Sequence, residues 1–96
     1  MIERLSDPQI EKELQNLSGW QRHETKHAIQ KSFKFNNFAS TWAFMSHIAL
    51  IAEKMDHHPE WNNIYNRLDI ILTTHDANGI STRDVKMAKS IDKIRQ

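Results

Sequence analysis

The most reactive side chains of this chain stand in one run, Glu53-Lys54-Met55-Asp56-His57-His58-Pro59-Glu60-Trp61, followed further along by His75 and Asp76. Histidine is the side chain whose proton moves near neutral pH. Two or three imidazoles converging on one cleft supply an acid and a base without any cofactor. The tandem pair His57-His58 falls at the exit of a predicted long helix, ahead of a proline, and His75 closes a predicted strand. Such positions are where a rigid scaffold presents polar side chains. Glu53, Asp56 and Asp76 are the nearby carboxylates able to hold a tautomer or favour an imidazolium, and the residues alone do not choose among them. The bland reading stays open beside this one, because adjacent residues rarely point the same way and a His-His pair in a loop is often only solvated.

Other chemistries fare worse. Three histidines could bind zinc, but there is no His-Glu-x-x-His helix and no thiolate, so no metal is expected. His23 and His27 would suit a metal only on a helix, and in a predicted turn they read as surface residues. His47 reads as a half-buried helix residue, and Trp42 and Phe44 as core or interface. Arg83, Lys86, Lys89, Lys93 and Arg95 look like the solvated face of a last helix. No nucleic-acid motif is present, and 13 Lys+Arg against 12 Asp+Glu leave a formal net charge of +1, too little to attract nucleic acid or anionic lipid.

The 96 residues suit one domain, taken as 1–96, large enough to fold without a staple. The absence of cysteine removes thiol nucleophiles, thiolate metal sites and disulfides, and fits a reducing compartment. The start of the chain shows no secretory pattern. Its greasiest window, Trp42 to Ala52, falls well short of the about 20 apolar residues of a membrane span. A cytoplasmic protein with no membrane partner is expected.

The elements that must position the histidines follow from periodicity. Ser6 and Gln9 form a capping box, Leu5 and Ile10 a hydrophobic staple, and Ile10, Leu14 and Leu17 one stripe of a first helix that stops at Ser18-Gly19. Trp20–His23 and Ala28–Phe35 read as strands of a hairpin. In the second of these, Lys31 falls among the core positions Ile29, Phe33 and Phe35, which suits a stem lying over a rim. Asn37 caps a second helix from Phe38 to about Asp56, with a stripe of Phe38, Trp42, Met45, Ile48, Ala49, Ala52 and Met55. Phe44 and Ile51 form a second seam, and Pro59 supplies the stop. Trp61–His75 is too long for one strand and splits at Asn66-Arg67. After the loop Asp76-Ala77-Asn78-Gly79, Ser81 and Asp84 cap a third helix, with Ile80 and Val85 as staple and Val85, Ala88, Ile91 and Ile94 as stripe. The sum is an α+β, two-layer domain, helix-β-β-helix-β-β-helix, with an antiparallel sheet covered on one face by helices.

The pattern Glu53-x-x-x-His57-His58-Pro59-x-Trp61-x-x-x-Tyr65-Asn66, then Thr74-His75, then Ser81-x-Arg83-Asp84, closely resembles the pterin-4a-carbinolamine dehydratase family. The likeness runs from about Trp20 through the last helix and includes Phe33-x-Phe35 and Ala49-x-x-Ala52-Glu53-Lys54. It implies dehydration of a 4a-hydroxytetrahydropterin to the quinonoid dihydropterin, in recycling the pterin used by aromatic amino acid hydroxylases, with no metal and no organic cofactor. By the same resemblance His57 and His75 are the acid/base pair, and His58 assists or binds substrate. Asp56-His57-His58 and Thr73-Thr74-His75-Asp76 contact the pterin, while Glu53, Pro59 and Asp84 support the site. Asp84 also has a purely architectural reading, as the cap of the third helix. After His75 the animal members carry Glu-Cys where this chain has Asp76-Ala77, a change that bears on pocket shape rather than on the reaction.

The resemblance further implies a homodimer or homotetramer. It brings an alternative function, a protein-binding module acting as the dimerisation cofactor of a homeodomain transcription factor, and a more distant one in molybdenum cofactor metabolism.

Overall fold

The computed structural model describes residues 2–95; Met1 and Gln96, the ends of the expected domain, lie outside the described residues. Helix α1 (Asp7–Leu14) starts as its residues dictate. The Ser6 hydroxyl accepts from the Gln9 amide at 3.3 Å, and the Gln9 side chain accepts from the Ser6 amide at 2.8 Å. Replacing Ser6 with alanine is expected to cost about 0.5–2 kcal/mol, read as a lower urea midpoint at unchanged slope. The helix ends earlier than the Ser18-Gly19 stop expected from sequence. Beyond Leu14 the chain tightens to i→i+3 bonds, from the Asn16 amide to Glu13 and from the Leu17 amide to Leu14. That tightening keeps Leu17 buried, and Gly19, at φ +82°, then turns the chain into the sheet.

Strands β1 (Gln21–Arg22), β2 (Ile29–Lys34), β3 (Glu60–Ile64) and β4 (Arg67–Leu72) form one antiparallel sheet in the order β1-β2-β4-β3. The long apolar run splits as expected, though one residue before Asn66-Arg67, at a Tyr65-Asn66 turn. Tyr65 has φ +49°, and the Asn66 side chain donates to the Phe35 carbonyl at 2.9 Å. Ile29, Phe33, Leu68, Ile70 and Leu72 share the covered face, whereas Gln30, Ser32 and Asp69 lie on the other. Lys31, paired with Ile70, is on the covered face at its rim. Its ammonium donates to Asp92 and to the Ser18 carbonyl, each at 2.8 Å, and lies 5.0 Å from the Phe33 ring centroid.

Helix α2 (Phe38–Met55), capped by Asn37, and helix α3 (Thr82–Arg95) lie over that face. The buried side of α2 is Thr41, Phe44, Met45, Ile48 and Ala52. This corrects the expected stripe. Phe38 and Trp42 are 48% and 57% exposed, Ala49 is exposed, and Phe44 belongs to the core, its ring 5.2 Å from Phe33 and 5.1 Å from Phe35. Apolar residues line more than one side of α2, so spacing alone did not single out the buried one. Thr41 enters the core because its hydroxyl donates to the Asn37 carbonyl. His47 is exposed, not half-buried. No helix among the described residues is long and apolar enough to cross a membrane.

Candidate active site

Helix α2 does not run on to Pro59. Asp56 adopts the left-handed conformation (φ 51°, ψ 44°), and the His57 amide reaches back to the Ala52 carbonyl at 3.1 Å. This reversal ends the helix and sends the chain toward β3, so His57 turns inward and His58 outward. His57 is 7% exposed, whereas His58 lies open to solvent.

The inward imidazole meets α3. His57 Nε2 lies 2.6 Å from Asp84 Oδ1, and Asp84 is completely buried. The other carboxylate oxygen, Oδ2, accepts from the Ser81 amide at 2.9 Å and from the Thr74 hydroxyl at 2.8 Å. Because the single Thr74 proton goes to Asp84, the Ser81 hydroxyl, 2.6 Å away, donates to Thr74 Oγ1. The chain of donors ends on a carboxylate that accepts at both oxygens. His57 therefore carries its proton on Nε2, which leaves Nδ1 for chemistry. Asp84 thus does two jobs: it caps α3 and orients His57. The outward imidazole has a looser partner, with His58 Nε2 2.7 Å from Glu53 Oε1 and both side chains mostly exposed. The sequence offered Glu53, Asp56 and Asp76 as tuning carboxylates. The structure assigns Glu53 to His58 and Asp84 to His57; neither Asp56 nor Asp76 bonds a histidine among the described residues.

His75 opens a 3₁₀ turn (His75–Ala77) after β4. The Thr74 amide donates to the Gly79 carbonyl at 2.9 Å and the Gly79 amide to the Thr74 carbonyl at 3.2 Å, closing the loop at its base. The His75 ring is exposed and has no hydrogen bond among the described residues. A cleft of about 420 Å³ opens between this loop, the α2 exit and the start of α3. Asp56, His57, His58, Thr73, Thr74, His75 and Asp76, the residues expected to contact a ligand, all line it, as does Pro59. Arg83 and Glu60 line it too, though the sequence reading passed over Glu60 and put Arg83 on a solvated face. The position of Arg83 beside Asp84 in the first turn of α3 was the available signal. A smaller cavity of about 340 Å³ adjoins, sharing Glu60, Thr73, Thr74 and His75 and adding Lys26 and His27. His27 is therefore not a plain surface residue. It is half-buried, and its Nδ1 accepts from the Ile80 amide at 3.1 Å. No group of three or more His, Asp or Glu side chains among the described residues is arranged to hold a metal ion.

The family model described as pterin 4 alpha carbinolamine dehydratase matches residues 3–94. A protein of Rhizorhabdus wittichii, provisionally named pterin-4-alpha-carbinolamine dehydratase, is 48% identical over 95 residues, covering 99% of this chain and 98% of its own. One of Bordetella avium with the same provisional name is 52% identical over 77 residues, 80% of this chain and 71% of its own. A crystal structure from Brucella melitensis, described as a transcriptional coactivator/pterin dehydratase, superposes with a TM-score of 0.94 at 46% identity, covering 96% of this chain and 98% of that one.

Proposed function

The chain belongs to the pterin 4 alpha carbinolamine dehydratase family, and from that premise we propose that it removes water from a 4a-hydroxytetrahydropterin, with the imidazoles of the cleft moving the protons. A carbinolamine holds a hydroxyl and an amine nitrogen on one carbon. Its dehydration breaks the C4a–O bond, forms the C4a=N5 bond, delivers a proton to the departing hydroxyl and takes one from N5. The products are quinonoid dihydropterin and water. Since the nitrogen lone pair itself expels the hydroxide, correctly placed acid and base groups suffice, each typically worth about 10²–10⁴ in rate.

His57 suits the base. Its Nε2–H is committed to Asp84, and its Nδ1 is the remaining acceptor. His75, exposed and without a hydrogen bond among the described residues, suits the acid, and His58, backed by Glu53, assists or binds the ring. In this role the chain would serve pterin-dependent aromatic amino acid hydroxylases, acting as a single domain and as a homodimer or homotetramer. One observation carries the reading: His57, His58 and His75, from two separate segments, face one cleft of a size usual for small ligands. The test adds the purified protein to a freshly generated 4a-hydroxytetrahydropterin and follows its ultraviolet decay. Decay faster than the uncatalysed rate, in proportion to protein, is expected; decay at the uncatalysed rate would sink the proposal.

A second reading, a protein-binding module, draws on the exposed side of α2, where the rings of Phe38 and Trp42 stack at 6.4 Å. This surface lies on α2, which meets the cleft only at its far end. Trp42→Ala should therefore leave dehydration within about twofold of the parent while weakening self-association or partner capture, followed by light scattering.

A further inference from the structure

His27 stands in the turn between β1 and β2, far in sequence from the histidine motif, yet it bonds both ends of the loop that carries His75. On the way in, the Thr73 hydroxyl donates to the His27 carbonyl at 2.9 Å. On the way out, the Ile80 amide donates to His27 Nδ1 at 3.1 Å, while the Ile80 carbonyl accepts from the Leu5 amide at 2.8 Å. Gly79 makes the approach feasible, since a Cβ there would come within 2.5 Å of His27 Nδ1. The same ring lines the small cavity that shares His75 with the cleft.

We propose that His27 is a positioning residue for the reaction: its backbone carbonyl holds Thr73, its neutral imidazole holds Ile80, and together they keep the His75 loop in register with His57. The inference rests on the reading of the cleft as the dehydratase site. Only the unprotonated Nδ1 can accept from Ile80. The surroundings favour that form. Burial, then Arg4 and Arg22, hold the His27 pKa below the ordinary 6.5, with Asp7 opposing them. Lys26, Glu60 and His75 are the other charged or titratable groups lining its cavity. With the folded value depressed, the unfolded chain takes up its proton first, so the Ile80 bond to Nδ1 contributes fully above about pH 6.5 and is lost as pH falls through the folded value.

Amide-exchange protection of Ile80 tests this together with kcat and KM, in the parent, His27→Leu and His27→Asn. The Asn carbonyl oxygen can replace Nδ1 as acceptor and does not titrate. In His27→Leu, Ile80 protection and kcat should each fall about tenfold, with KM changed less than about threefold. In His27→Asn both should return to within about threefold, and the loss of protection expected of the parent as pH falls below about 6.5 should disappear. A folded His27→Leu variant with parental protection and kcat would overturn the proposal. So would a His27→Asn variant that keeps the parental acid loss; this second outcome decides the matter even if the Leu variant does not fold. If the parent protein shows no dehydratase activity, the functional reading fails separately, and Ile80 protection still reports on the clasp.

Discussion

In the double variant His57→Ala/His75→Ala, kcat/KM is expected to fall at least about 100-fold, close to the uncatalysed background, with the fold retained. The single variants should each lose nearly as much, because a proton donor and a proton acceptor acting in one transition state are not additive. His58→Ala should lose less, on the order of tenfold, since its ring faces solvent and its partner Glu53 is mostly exposed. Stopped-flow decay of a 4a-hydroxypterin measures all four variants. A single His57 or His75 variant within about twofold of the parent would remove that residue from the acid/base role.

The second large effect is at Asp84. Its carboxylate is completely buried and holds three donors from three places, His57, Thr74 and Ser81. Asp84→Ala strands all of them and should destabilise the protein by about 3–5 kcal/mol, since each buried donor left unsatisfied costs about 1–3 kcal/mol. Urea unfolding measures it, and a loss under about 1 kcal/mol would contradict the network. Asp84→Asn separates orientation from folding. The amide oxygen can keep Ser81 and Thr74, which places its NH₂ against His57 Nε2. That imidazole must then carry its proton on Nδ1, the atom proposed to act as base. Stability should fall by only about 1–3 kcal/mol, while kcat falls by about 100-fold or more. Equal losses of stability and activity in the Asn and Ala variants would point to a purely architectural Asp84.

Local signals were the legible ones. The Ser6-x-x-Gln9 box and the Asn37 cap appear where the residues place them, and the turn expected at Asn66-Arg67 falls one residue earlier, at Tyr65-Asn66, because each depends on side chains and backbone within a few positions. Lys31 was readable as well, since a cation among core positions must carry its charge to a rim. Where several local solutions competed, the reading failed. Pro59 can stop a helix, but Asp56 stopped it first by adopting a left-handed cap. α2 has apolar residues on more than one side, and packing against β2 chose the one bearing Phe44 over the one bearing Trp42.

The residues alone determined the element order, which follows from periodicity and caps along the chain, and their motif resembled the family that the comparisons then showed. Only the tertiary structure decided which carboxylate serves which imidazole, why Asp84 outranks the nearer Asp56, and that a histidine in the first hairpin clasps the His75 loop. These are pairings between distant segments. Their geometry is set by how helices seat on a sheet, and nothing in one-dimensional spacing encodes that distance.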